Sequence, residues 1–373
     1  MARTMKIFLC GDVMLGRGID QALPRPCAPR LHERYVDSAS EYLRLAEQAN
    51  GPIPIPLDFA YVWGAALEEL KRAQPHARIV NLETSITRSE AYDRKGINYR
   101  MSPENASCLT AAGIDCCVLA NNHVLDWGRT GLLDTLNTLD QLHIKTAGAG
   151  RDFAQASAPA VVETADEGRL LVFSFACTTS GTPRHWAATP DVAGVNLLPD
   201  LSEATVTAIT QQMDLTRRPK DIVIVSVHWG SNWGYQIPDN QRWFAHELID
   251  RADISILHGH SSHHAKAIEV YRNRLILYGC GDFLNDYEGI GGHEEFRDDL
   301  ALMYFASVDP SSADVLALEL VPLNIRRFQL IGASHADADW LQQTLDRESR
   351  RFDTRVVPTP DGRFGLLWPK RVG

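Results

Sequence analysis

The sequence predicts an α/β protein built on mixed β-sheets. Short apolar, β-branched runs recur at Lys6–Cys10, Arg78–Leu82, Asp115–Ala120, Arg169–Ala176, Asp221–Val227 and Ile254–Leu257, and read as strands buried on both faces. Stretches with apolar residues at helical spacing lie between several of them, the alternation expected when helices cover a sheet. Most runs end in glycine, asparagine or histidine, at the strand tips where open α/β sheets bind ligands.

Composition narrows the classes. The chain has 373 residues, 45% hydrophobic and 23% charged, enough for one large domain or two. Its 37 basic and 47 acidic residues give a net charge of −10, which argues against a nucleic-acid backbone or an anionic membrane as chief partner. The apolar run Ile7–Cys10 is too brief for a signal segment, and no stretch of about 18 apolar residues is present. A cytoplasmic protein with no membrane span is expected. The seven cysteines form no CxxC pair, and Cys10, Cys116, Cys117, Cys177 and Cys280 lie in apolar segments, so reduced core thiols are expected.

Taken in order, Lys6–Cys10 is a strand, and the glycine-punctuated loop Gly11–Gly18 sets Asp12 at its tip. An Asp at such a turn is more often a helix cap, and Arg17 is a candidate anion clamp. Residues 20–58 interrupt the rhythm. Prolines within Leu23–Pro29 and Gly51–Pro56 flank a helix near Ser38–Ala49, an ordered excursion suited to a lid or a partner surface. Phe59–Arg72 carries Ala60, Trp63, Leu67 and Leu70 at helical spacing and reads as an amphipathic helix.

Asn81 and Glu83 follow on alternate positions, so they point to one side of their strand. Beyond a loop with Arg94, Lys95 and Arg100, Pro103–Ala112 is a helix with Pro in its first turn. The strand Asp115–Ala120 ends in Asn121-Asn122-His123, with Asp126 close behind. Such polar groups at a strand exit need each other, water or a cation. A helix over Thr130–Leu142 and a flexible turn at Thr146–Gly150 close this half.

In the second half, Asp221–Val227 delivers His228 at its tip, and Trp229, Trp233 and Tyr235 either wall a cleft or pack beneath it. A helix over Asp239–Arg251 precedes Ile254–Leu257 and its histidine-rich exit. There His258, His260, His263 and His264 crowd seven residues, and imidazoles so close together favour a metal site over a solvated turn. Ala267–Tyr271 and Arg274–Tyr278 form two short strands, followed by a Gly-rich turn holding Asp282, Asn285 and Asp286. Strands at Ala301–Phe305 and Val315–Val321, a polar helix over 336–350 and a peripheral tail complete the chain.

Together, Gly11-Asp12, Asn81-Leu82-Glu83, Asn121-Asn122-His123 with Asp126, Val227-His228-Trp229-Gly230 and Gly259-His260-Ser261-Ser262-His263 resemble the poly-γ-glutamate capsule synthesis (CapA-like) family. That family is a branch of the calcineurin-like metallophosphoesterase superfamily, and the resemblance runs in order from about residue 5 to about residue 290. It implies a four-layer α/β/β/α sandwich with two divalent metal ions at the strand tips. Position by position, Asp12 and His263 would hold the first metal, Glu83 would bridge, and Asn122, His228 and His260 would hold the second. His123, oriented by Asp126, would donate a proton to the leaving group. The chain departs from the superfamily pattern at Met14, where a second ligand is usual, and at Glu83, where the bridge is usually Asp. His258, His264 and Asp282 are the spare groups within reach.

The ligand set, nitrogen and oxygen without thiolate, suits manganese, iron or zinc. Two such ions could activate water without a separate acid and base, with Arg17 neutralising charge on the substrate. The expectation is therefore a metal-dependent hydrolase acting on a phosphoester or a γ-glutamyl amide. It consists of a single metallophosphoesterase-like domain over 1–330 with its Pro-rich insertion at 20–58, and a C-terminal helix and tail at 331–373. The competing expectation is a non-catalytic accessory protein of poly-γ-glutamate or capsule biosynthesis that binds polymer or a synthetase partner. The expected partners of the hydrolase are a small-molecule or polyanionic substrate, with no nucleic acid.

Overall fold

A computed structural model describes residues 4–164 and 168–369. Two mixed sheets stack face to face, and each is covered on its outer side by helices. The first sheet has the order Arg355–Pro358, Phe364–Leu367, Val315–Arg326, Leu300–Val308, Met5–Val13, Ala77–Leu82, Cys116–Val118, Lys145–Ala147. Its strands are parallel from Met5–Val13 onward and antiparallel on the other side. The second sheet runs Ile268–Tyr271, Arg274–Leu277, Ile256–His260, Ile222–His228, Gly168–Ala176, Ala160–Thr164, parallel in the middle and antiparallel at both edges.

Alternation along the strands explains the layers. Ile7, Leu9, Ile79, Cys116, Val118, Leu170, Val172, Ile222, Ile224 and Ile256 join one cluster between the sheets. Phe8, Cys10, Val80, Leu82 and Cys117 turn the other way, against the helices Ala65–Ala73 and Gly128–Gln141. Leu171, Phe173, Val223, Val225 and Leu257 likewise meet the helices Glu203–Thr216 and Asp239–Ala252. Strands buried on both faces have no polar side to display, which is why the sequence reads as continuous apolar runs. The four-layer sandwich is thus present.

Five expectations change in detail, the first being that Pro103–Ala112 divides into a 3-10 turn, Pro103–Asn105, and an α-helix, Ser107–Ala111. The Phe59–Arg72 helix divides into a 3-10 turn, Tyr61–Trp63, and an α-helix, Ala65–Ala73, because Gly64 between them has φ +39°. Thr146–Gly150 is no flexible turn: Lys145–Ala147 and Ala149–Gly150 are strands, and Ala147–Gly150 is buried. The histidine-rich exit begins later than expected, since the strand runs through His258 to His260. The tail is not peripheral, because Phe364–Leu367 pairs with Val315–Arg326 and so belongs to the first sheet. The excursion at residues 20–58 packs a small cluster of Leu31, Ala39 and Tyr42. It is fastened to the body by Arg100 Nη2 donating to the Ala28 carbonyl at 3.0 Å. Among the described residues no helix is long and apolar enough to cross a membrane. All seven cysteines are buried and unpaired.

Candidate metal centre

The first strand changes face just before its tip. Up to Cys10 the even positions meet the helices, but past it Val13 and Leu15 do, because the register shifts between Leu9 and Asp12. This bulge turns Asp12 into the space between the sheets. Gly11 permits it: a Cβ there would lie 1.6 Å from the Gly281 carbonyl oxygen, and Asp12 N donates to that same oxygen at 2.9 Å. The short strand Asp282–Leu284 runs parallel alongside and sets Asp282 opposite Asp12. On the second sheet His228 and His260 are direct cross-strand neighbours, on the same inward face as Ile224 and Ile256.

The tips meet. Asp12, His228 and His260 each present a ligand atom, all within 4.8 Å of one another and all buried. His228 Nδ1 faces His260 Nδ1 at 2.7 Å, and His228 Nε2 lies 2.9 Å from Asn122 Oδ1. Glu83 Oε1 is 3.8 Å from His228 Nε2 and 3.8 Å from His123 Nε2. Asn81 Nδ2 donates to Asp12 Oδ1 at 2.7 Å and to Glu83 Oε2 at 3.2 Å, while its own oxygen accepts from Asn121 Nδ2 at 3.0 Å. His263 Nδ1 joins from the side through Asp282 Oδ1 at 2.9 Å. The structure therefore links Asp12, Glu83, Asn122, His228 and His260 directly and His263 by way of Asp282.

Burial sets the charges. It drives Asp12 up to about 7, aided by the charge of Asp282, and it drives Glu83 well above the ordinary carboxylate range, aided by Asp12. It also holds His228 and His260 well below the ordinary imidazole range, so both are neutral. His263 goes the other way, because the attraction and hydrogen bond of Asp282 outweigh its burial. Asp12, Glu83 and Asp282, with 0%, 2% and 0% exposure, are thus crowded together with neutral His228 and His260, and only His263, beside Asp282, is drawn toward a positive charge. A buried anion is costly unless something positive pairs with it, and neutral imidazole and carboxylate are the forms that bind divalent cations. The donor set fits such a cation.

His123 stands at the edge. Its Nδ1 is 2.6 Å from Asp126 Oδ2, which also accepts from Tyr99 N at 2.6 Å. Burial and the Lys95 ammonium hold His123 well below the ordinary imidazole range. Contact with Asp126 Oδ2 assigns the ring the tautomer protonated on Nδ1, which leaves the Nε2 lone pair facing Glu83. Lys95, which the sequence offers only as one basic loop residue among several, lies 2.9 Å from Asp126 Oδ1 and 3.2 Å from His123 Nδ1 and also bonds the Asn122 carbonyl. Its loop is distant in sequence and carries no motif, so only the fold discloses it.

Arg17, expected to grip an anion, is instead saturated by protein. Its Nη2 meets Asp286 Oδ1 at 2.5 Å and its Nη1 meets Glu33 Oε1 at 3.2 Å, with 3% of the residue exposed. Tyr99, whose ring lies under its guanidinium at 4.3 Å, has its edge against His123 at 4.5 Å. Arg17 thus braces the site one ring away. His264 packs among Trp233, Tyr235 and Phe296. Trp229 packs beneath the second sheet, while Trp233 lies against His263.

His258 spans the sheets, with Nε2 2.7 Å from the Cys10 carbonyl and Nδ1 3.1 Å from Ser226 Oγ, which also contacts His260 Nε2 at 2.7 Å. Burial lowers His258 to about 4. A folded value below the unfolded one, about 6.5, means stability present above pH 6.5 and lost as pH falls toward 4. This group should weaken the fold by on the order of 2 kcal/mol between pH 7 and pH 5. His258→Gln should flatten that acid limb in urea unfolding at the two pH values, and an unchanged slope would contradict the assignment.

Residues 6–287 match the family model described as bacterial capsule synthesis protein PGA_cap. The chain is 48% identical to a probable polyglutamine synthesis accessory protein of Mycobacterium tuberculosis, over 97% of this chain and 95% of that one. It is 27% identical to the PGA biosynthesis protein CapA of Bacillus subtilis over 95% of this chain and 80% of that one. With the capsule biosynthesis protein CapA of Bacillus anthracis the identity is 25%, over 86% and 68% respectively. Among solved structures it is similar to one described as a novel phosphatase of Mycoplasma pneumoniae, at 12% identity and TM-score 0.47 over 87% of this chain and 95% of that one, a likeness too distant to bear on activity.

Proposed function

The chain belongs to the bacterial capsule synthesis protein family PGA_cap, and from that premise we propose that it is a metal-dependent hydrolase. The observation that carries this reading is the convergence of Asp12, His228 and His260 within 4.8 Å in a buried nest. Asp12, Glu83, Asn122, His228, His260 and His263 would hold two divalent cations, manganese, iron or zinc. Bound there, the cations supply Lewis acidity and make water a usable nucleophile at neutral pH.

The chain's own groups do the rest. His123 Nε2 rests with a lone pair, so it would accept a proton from the attacking water and pass that proton to the leaving group, whose bond to the substrate breaks. Asp126 favours the tautomer by accepting a hydrogen bond from Nδ1–H, and Lys95 keeps Asp126 in place. The bond cleaved is a phosphoester or a γ-glutamyl amide.

Metal content of the purified protein, followed by turnover of p-nitrophenyl phosphomonoesters and diesters and of γ-glutamyl-p-nitroanilide, tests this directly. Turnover that disappears on chelation and returns with manganese, iron or zinc is the expected result. If no transition metal copurifies and none confers turnover, the hydrolase reading fails. The M. tuberculosis relative, a probable polyglutamine synthesis accessory protein, would then favour a non-catalytic partner of a synthetase.

A further inference from the structure

We propose that the Tyr287 hydroxyl is a catalytic hydrogen-bond donor, meeting the substrate oxygen on which negative charge develops. The inference rests on the hydrolase reading above and names a group which that reading leaves unused. Arg17 cannot serve there, since Asp286 and Glu33 saturate it.

Two tyrosines connect the histidines on either side of the nest. The Tyr99 ring meets His123 edge-on at 4.5 Å, and the Tyr287 ring meets His263 edge-on at 5.3 Å. Tyr99 Oη donates to Tyr287 Oη at 2.8 Å, which leaves the Tyr287 proton to find another acceptor. Among the described residues that acceptor is Met14 Sδ at 3.6 Å, on a fully buried side chain. A thioether is a weak acceptor, so most of the donor strength of this phenol is unused. Burial, with the charges of Asp282 and Glu83, also holds Tyr287 well above the ordinary phenol range. The group therefore keeps its proton and acts only by donating.

Space for a substrate lies next to this residue. Tyr287 and Asn285 are on the wall of a cavity of about 560 Å³, a size that suits a small molecule. Asn285 Nδ2 donates to Asp282 Oδ2 at 2.8 Å, so the cavity adjoins the nest through the residues that flank it. In either hydrolysis, of a phosphoester or of an amide, an oxygen on the attacked atom gains negative charge. A fixed donor that meets that oxygen stabilises the transition state more than the ground state.

Tyr287→Phe and Met14→Leu, made in the full chain and loaded with Mn(II), separate this role from a structural one. Both break the contact between the two side chains, but only the first removes the donor. On whichever p-nitrophenyl or γ-glutamyl substrate wild type turns over, Tyr287→Phe should lower kcat by about 10–100-fold. Its KM, metal content and melting temperature should stay close to those of wild type, and Met14→Leu should keep its kcat. Tyr287→Leu serves if the Phe variant is insoluble. An unchanged kcat without the hydroxyl overturns the proposal, whether or not KM moves. An equal fall in Met14→Leu overturns it too, because the contact would then be structural. Wild type that binds Mn(II) yet turns over none of these substrates would instead end the hydrolase reading itself, and the proposal with it.

Discussion

His123→Ala is expected to lower turnover by about 10²–10⁴-fold while leaving the bound metal nearly unchanged. The imidazole touches the nest only at a distance, with Nε2 3.8 Å from Glu83 Oε1, and its near contact is Asp126. Removing it takes away proton transfer without taking away a ligand. Glu83→Ala and His228→Ala should do the opposite, since both lie within the ligand set, and metal content should fall with activity. Parallel measurements of metal content and kcat on the three variants check the division. Equal metal loss in all of them would show that His123 is a ligand.

Gly11→Ala should abolish folding at ordinary temperature, a loss of more than about 4 kcal/mol. The new methyl carbon would stand 1.6 Å from the Gly281 oxygen and 2.6 Å from its carbon. Those are backbone atoms of the strand connection that carries Asp282, so neither side chain nor rotamer can relieve the overlap. Gly332→Ala, where nothing lies within 4 Å, is the matched control and should melt close to wild type. Soluble Gly11→Ala protein with a wild-type melting temperature would mean that the two backbones are farther apart than described.

Much of this site was legible because its residues sit at the ends of apolar runs. Strand-tip position drew attention to Glu83, Asn122, His228 and His260, but their grouping with Asp12 as ligands came from the family resemblance, since Asp12 taken alone reads as a helix cap. Periodicity by itself would nevertheless send Asp12 to the wrong face, because a bulge leaves no mark in the pattern except its glycine. Lys95 and the bracing role of Arg17 were not legible. Both depend on partners far along the chain, Asp126 and Asp286, and a basic residue in a loop looks the same whether it meets solvent or a carboxylate. The closing hairpin Arg355–Leu367 was missed for a related reason: its strands are short and half exposed, so their alternation is weak.

The first strand is central in its sheet, yet its two flanks are completed at very different times. One neighbour, Ala77–Leu82, emerges early during synthesis, whereas the other, Leu300–Val308, is paired with it from almost the far end of the chain. A ribosome must therefore pass residue 308 before that backbone edge can be closed. Until then the nascent protein carries an open row of amides and carbonyls, inviting mispairing with other chains. Such long-range pairing is expected to make the closing of this edge a slow step of folding.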